Sequence, residues 1–152
     1  MKQHAVPSSF FMSLIEFLVS AKHQIMTISG EFGLTSMQAM TLLLTDNTTP
    51  RSMSSLCRIY GCDASNITGI IDGLEQKQLV SRQSHPNDRR VKIIKLEPKG
   101  AALKTKILRA TADSSGFLFD PLNDHEIGQL VAIIKKLAQV KPSSKVPGVI
   151  TL

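Results

Sequence analysis

One short stretch limits the folds open to this chain more than any other. Residues 80–96, "VSRQSHPNDRRVKIIKL", read as two extended runs around a Pro-Asn-Asp turn, whereas the other apolar residues recur at helical spacing. The predicted architecture is therefore mainly α with one small β-hairpin. Val91, Ile93, Ile94 and Leu96 can anchor the hairpin's base in a helical core, and His85, Arg89, Arg90 and Lys92 cluster toward its tip. Charged turns often serve only solubility, so the tip acquires a meaning only from the helices around it.

The first helix is predicted from about Ser9 to Ser29, because Phe11, Leu14, Ile15, Leu18, Ala21, Ile25 and Ile28 fall on helical spacing. "SGEFG" ends it, and Thr35 caps a second helix, "SMQAMTLLL". "TDNTTP" breaks the second. Pro50 is expected to open a short third, "RSMSSLCRIY", which Gly61 stops at a left-handed cap. Asp63 then caps a fourth, "ASNITGIIDGLEQKQL". Here Ile67, Ile70, Ile71 and Leu74 share one face, leaving Ser65, Asn66, Thr68, Gly69 and Asp72 on or near the other. After the hairpin, a long helix from about Pro98 to Phe119 carries Leu103, Ile107, Ala110 and Phe117. A final helix carries Ile127, Leu130, Val131, Ile134, Leu137 and Ala138.

Two short helices joined by a tight Gly-containing turn, the second with a small, hydrogen-bonding N-terminal face, have the form of a helix-turn-helix. A hairpin attached to the end of the second helix has the form of a wing. An arginine at such a tip suits a narrow minor groove, because guanidinium is permanently charged, weakly hydrated and rich in donors. The charge balance agrees: 18 Lys and Arg against 12 Asp and Glu give a net +6, and the pI is near 9.6. Such a balance favours an acidic partner such as nucleic acid or an anionic membrane surface.

On these residues the chain resembles the MarR family of bacterial transcriptional regulators, dimeric winged helix-turn-helix proteins. The resemblance is carried by "LTSMQAMTLL", "NITGIIDGLEQKQLVSR" and "DRRVKIIKLEPKG". The last is similar to the family's D-x-R-x-x-x-I-x-L-T-x-x-G signature at Asp88, Arg90, Ile94, Leu96 and Gly100. It implies that Arg90 is the wing arginine, that Asp88 orients the wing, and that the N-terminal half of the fourth helix is the recognition helix. The candidate DNA-contacting set is Arg51, Ser52, Ser65, Asn66, Thr68, Gly69, Arg82, Asp88, Arg89, Arg90 and Lys92. Three departures stand out. Glu97 replaces the usual Thr. Gln78 stands where the family usually turns through Gly. Gly69 and Gly73 stand where relatives often carry basic residues that touch DNA, which predicts more reliance on Asn66, Thr68 and the wing.

The resemblance also implies a homodimer, in which first and last helices from two protomers pack together. Phe11, Leu14, Leu18, Ile127, Leu130, Val131, Ile134 and Leu137 are the candidate interface residues. The chain is thus read as one protomer, 1–152, with dimerisation helices at 9–30 and 98–140, a winged lobe at 34–97 and a tail at 141–152. The partner is double-stranded DNA carrying an inverted repeat. A small aromatic effector between the dimer helices and the lobe is expected, with Met26, Met37 and Leu103 as lining candidates.

No cofactor, metal or catalytic residue is expected. His4, His23, His85 and His125 fit no H-E-x-x-H, nucleophile-elbow or glycine-rich phosphate pattern, and Cys57 and Cys62 lack CxxC or zinc spacing. Glu16 and the helical spacing beyond Ser20-Ala21 argue against a signal peptide, and no run approaches the roughly 18 apolar residues of a membrane span. A cytoplasmic location follows as the expectation. Two rival readings stay open: a winged protein-interaction module with reduced DNA binding, and a regulator that senses oxidants through Cys57 and Cys62.

Overall fold

The computed structural model describes residues 7–114 and 116–138; the expected tail at 141–152 and the side chain of Phe117 lie outside the described residues. The chain runs α1 (Ser8–Glu31), α2 (Ser36–Leu44), β1 (Arg51–Ser52), α3 (Met53–Tyr60), α4 (Ala64–Gln76), β2 (Val80–His85), β3 (Asp88–Leu96), α5 (Pro98–Ser114), α6 (Gly116–Phe119) and α7 (Asp124–Ala138). Helices dominate, with one small antiparallel sheet, as the periodicity predicts.

Short polar residues set the helix starts. Thr35 Oγ1 accepts from Gln38 N at 3.2 Å while Gln38 Oε1 accepts from Thr35 N at 3.1 Å, a reciprocal cap that satisfies donors at the start of α2. Asp63 accepts from Asn66 N at 2.9 Å and from Ser65 Oγ at 2.7 Å. The Asn66 amide, then the Ser65 hydroxyl, hold its carboxyl below the usual carboxylate range. Gly61, with φ 59°, closes α3 in the left-handed region as expected.

Two expectations need correction. Arg51 and Ser52 do not belong to the third helix: they form β1 and pair with β3 at Arg51↔Ile94 and Ser52↔Ile93. The edge of β3 offers backbone groups that β1 satisfies, and Ser52 then caps α3 by accepting from Ser55 N at 3.1 Å. The wing is accordingly two strands of a three-stranded sheet, ordered β1-β3-β2, rather than an isolated hairpin. The long helix after the wing also ends at Ser114, and a separate short α6 takes up Gly116–Phe119.

Leu42, Leu56, Ile67, Ile71, Leu74, Leu79, Ile94 and Ile107 are almost wholly buried, so α2 to α5 close around the inner face of the sheet. Removing one such side chain from water contributes about 1.5–3 kcal/mol. Thr41 and Thr45 reach the same interior because Thr41 Oγ1 meets Tyr60 Oη at 3.0 Å and Thr45 Oγ1 donates to Thr41 O at 2.7 Å.

The end of α4 determines where the wing begins. Gln78 N donates to Glu75 O at 2.8 Å and Leu79 N to Leu74 O at 3.0 Å, and Gln78 itself lies at φ 60°. These bonds form a Schellman closure with Leu79 packed back over Leu74 in the core. A glutamine at φ 60° carries strain that glycine lacks. Gln78→Gly is therefore expected to stabilise the protein by about 1 kcal/mol, a rise in Tm of roughly 2–4 °C in thermal denaturation. A fall in Tm would mean that the Gln78 side chain makes a compensating contact.

Candidate nucleic-acid interface

The exposed face of α4 is set by the burial of Ile67, Ile71 and Leu74 opposite it. Ser65, Asn66, Thr68 and Gly69 all lie on the exposed side, as the periodicity predicts. Thr68 Oγ1 donates to Ala64 O at 2.8 Å, which leaves its lone pairs outward as acceptors. A Cβ at Gly69 would meet nothing within 4 Å, so the face is open there. Gly73 is different. It is half-buried, and a Cβ would collide with the Gln38 side chain of α2. The expectation that Gly73 leaves the DNA-facing surface short of a basic residue is thus corrected, since this position faces α2.

The wing is a twisted ribbon whose register runs from Val80↔Leu96 to His85↔Asp88, with an irregularity at Ser84/His85 just below the turn. Ile93 and Ile94 are buried and anchor its base, whereas Arg89, Arg90 and Lys92 are exposed near the tip. Successive side chains of a strand point to opposite faces, so Arg90 and Lys92 share one face and Arg89 joins Val91 on the other. Asp88 accepts from Arg90 N at 3.0 Å, which pins the turn where the wing arginines emerge. His85 Nδ1 accepts from Asn87 N at 3.2 Å, so the tip is held from both strands.

Ser65, Thr68 and Asp88 are thus engaged within the protomer, Lys92 Nζ donates to Ser84 Oγ at 3.0 Å, and Arg82, Arg51 and Ser52 are engaged as well. Arg82 Nη2 lies 2.6 Å from Asp72 and 3.2 Å from Thr68 O, and its Nη1 donates to Glu75 at 2.5 Å. Glu75 also accepts from Arg82 N at 2.8 Å, so the first wing strand is tied to the outer side of α4. Arg51 Nε donates to Leu44 O at 3.0 Å, and Ser52 is spent partly on the α3 cap. With Thr49, His85 and Val91 they line an open polar cavity of about 480 Å³ between α3 and the wing. Sequence reading overlooked Asp72 and Glu75 as the partners of Arg82. Their spacing with Thr68 on one side of α4 was the available signal, but only the return of β2 supplies the cation.

Beyond this lobe, the terminal helices leave much apolar surface bare. Phe11 and Leu18 are 53% and 55% exposed, Leu14, Ile127, Val131 and Ile134 are also exposed, Leu137 is 65% exposed, and Leu130 is half-buried. No described residue of α7 is buried. Of the expected effector-lining residues, Met26 is exposed on α1, while Met37 and Leu103 are half-buried. A smaller cavity of about 280 Å³ lies instead among His23, Gln24, Thr27, Ile28, Glu31 and Ser114. Cys57 and Cys62 flank the α3 closure, where Cys62 N donates to Cys57 O at 3.2 Å. Partial burial, then Cys57 and Asp63, push the Cys62 thiol up, which opposes formation of the reactive thiolate. Among the described residues no group of three or more His, Cys, Asp or Glu is placed to hold a metal ion, and no helix is long and apolar enough to cross a membrane.

Residues 34–92 match the model of the MarR family. The chain is 31% identical over 104 residues to the HTH-type transcriptional repressor NicR of Pseudomonas putida, an alignment covering 68% of this chain and 66% of the relative, just under two thirds of its length. In fold it is similar to wild-type MarR from E. coli in its apo form, with TM-score 0.70 and 20% identity over 89% of this chain and 98% of that one. It is also similar to CouR from Rhodococcus jostii bound to p-coumaroyl-CoA, with TM-score 0.70 and 23% identity over 90% and 94% of the two chains. An exposed recognition-type helix tied to a basic wing and the family match across that lobe lead to one conclusion: residues 34–92 are a winged-helix lobe of the MarR family.

Proposed function

We propose that the protein is a homodimeric, sequence-specific DNA-binding repressor whose hold on its operator is relaxed by a small molecule. The observation that carries this reading is the Arg82 bridge to Thr68 O, Asp72 and Glu75, which joins wing and recognition helix into one rigid reading unit. Arg82 then acts by positioning. Ser65, Asn66, Thr68 and Gly69 face the major groove, and Arg89, Arg90 and Lys92 meet phosphates or the adjoining minor groove, with Asp88 holding the tip. Arg51 and Ser52 border the backbone path. Residues 34–97 form this lobe, and 9–30 with 98–140 form the dimerisation region. The bare apolar faces of α1 and α7 support that division, because so much exposed apolar surface is unusual on a monomer. The repressor and effector parts draw on the likeness to NicR, named a repressor, and to CouR, which holds a ligand.

A two-fold dimer presents its recognition helices to successive major grooves only when they lie about 34 Å apart, so the operator is an inverted repeat with half-site centres about 10 base pairs apart. Footprinting and fluorescence anisotropy test this. Arg90→Ala is expected to weaken binding to every operator variant by a similar factor and to reduce the salt slope by about 1, while Thr68→Ala acts unevenly across variants. A single unsymmetrical half-site, or binding indifferent to salt between about 50 and 200 mM, would favour the protein-interaction reading.

A further inference from the structure

We infer that α4 reads its half-site through A·T rather than G·C pairs, with Asn66 specifying adenine and Thr68 offering an acceptor to a base amine and a methyl group to thymine. This deepens the DNA-binding reading above and rests on it.

Guanine turns two acceptors, N7 and O6, into the major groove, so a helix that reads it must supply donors. Adenine turns out an acceptor beside an amine, cytosine an amine, and thymine an acceptor beside a methyl group. At residues 64–69 the exposed positions are Ala64, Ser65, Asn66, Thr68 and Gly69, and α4 contains no Lys, Arg or His anywhere along Ala64–Gln76. Both hydroxyl protons on this face are already committed. The Ser65 hydroxyl donates to Asp63 at 2.7 Å and the Thr68 hydroxyl to Ala64 O at 2.8 Å. Neither acceptor can return a proton. One is a carbonyl, and the other is a carboxyl that the Asn66 backbone amide, then the Ser65 hydroxyl, hold in its ionised form below the usual range. Turning either hydroxyl proton to a base would forfeit a bond that the helix already makes, so Ser65 and Thr68 present lone pairs to the groove. Asn66 differs: its backbone N is spent on Asp63 at 2.9 Å, but among the described residues no hydrogen bond engages its carboxamide.

An A·T pair answers this set of groups. The Asn66 carboxamide can donate to adenine N7 while accepting from the N6 amine, a bidentate match that no other base offers. Thr68 Oγ1 can accept from an exocyclic amine, and its methyl group, with that of Ala64, suits the thymine methyl. A Cβ at Gly69 would meet nothing within 4 Å, so nothing there holds the bases away. A G·C pair would instead bring both guanine acceptors against a face with one free amide, and an acceptor stripped of water without a partner costs about 1–3 kcal/mol. The cations of the lobe do not correct this. Arg89, Arg90 and Lys92 stand on the wing, and Arg82 is held by Asp72 and Glu75.

Full-length protein is used to select duplexes from a library of randomised inverted repeats with half-site centres about 10 base pairs apart. The recovered half-sites are expected to be A·T where α4 protects them. On a recovered operator, 7-deazaadenine, which lacks the N7 acceptor, should weaken binding about tenfold at one adenine of each half-site, and this penalty should vanish in Asn66→Ala. Uracil in place of a neighbouring thymine should cost a smaller factor, which Thr68→Ser, keeping the hydroxyl and losing the methyl, should remove. Half-sites read through guanine and weakened by 7-deazaguanine, or a 7-deazaadenine penalty that survives Asn66→Ala, would overturn the inference while leaving a DNA-binding regulator. A library from which the wild-type protein recovers no sequence would remove the regulator reading and this inference with it.

Discussion

Replacing Leu18 with Glu is expected to convert the protein to a monomer and to lower its affinity for a full inverted-repeat operator by about 10²–10⁴-fold. Leu18 is 55% exposed in the protomer, so a charged side chain there costs the isolated fold little. In the proposed dimer the same carboxylate would be pressed against the partner's apolar helices with no cation to pair it, and a buried unpaired charge is among the most expensive defects a protein interface can hold. The loss at DNA follows from geometry. Each lobe offers a small polar helix face and a few wing cations, and two such lobes bind well only when one interface presents them together. Size-exclusion chromatography with light scattering reads the first effect and anisotropy the second, while Arg90→Ala serves as a dimeric control that weakens DNA binding alone. A Leu18→Glu protein that stays dimeric with unchanged operator affinity would overturn the assignment of α1 to the interface.

The second large effect is expected at Gly100. This residue is buried in the first turn of α5, and a Cβ there would overlap the Leu79 carbonyl, lying 2.8 Å from its carbon and inside contact distance of its oxygen. Leu79 cannot yield easily. Its amide closes α4 by donating to Leu74 O at 3.0 Å, its side chain is in the core, and its carbonyl accepts from Glu97 N at 3.0 Å. Helix propensity alone would make Gly100→Ala stabilising by about 1 kcal/mol, but overpacking against backbone reverses the sign. The net expectation is a loss of about 3 kcal/mol, a fall in Tm of roughly 6–12 °C. Gly69→Ala is the matched control, because a Cβ there meets nothing within 4 Å, and it should gain up to about 1 kcal/mol. Denaturant titration of both variants checks the contrast. Equal behaviour would mean that the close approach at Leu79 does not govern this position.

The local elements were legible in the sequence because each rests on interactions between near neighbours. Thr35 with Gln38, Asp63 with Ser65 and Asn66, and Gly61 at φ 59° set helix ends within a few residues of themselves, and the Ile67, Ile71, Leu74 stripe follows from helical geometry alone. The exposed wing arginines were readable in the same way, whereas the turn at Gln78 was indicated only by the resemblance to a family that usually has glycine there, and its φ of 60° came from the structure. What the sequence left undetermined depends on chain segments that meet only in three dimensions. β1 forms because Ile93 and Ile94 return to it from some forty residues away. Arg82, taken from sequence as a contact for DNA, is turned inward because β2 folds back over Asp72 and Glu75. Gly73 passes from the DNA face to the α2 side because helix α2 lies against it, and Gly100 becomes indispensable because the Leu79 carbonyl lies over it. Periodicity states which side of an element is apolar, and packing alone decides what stands against each residue.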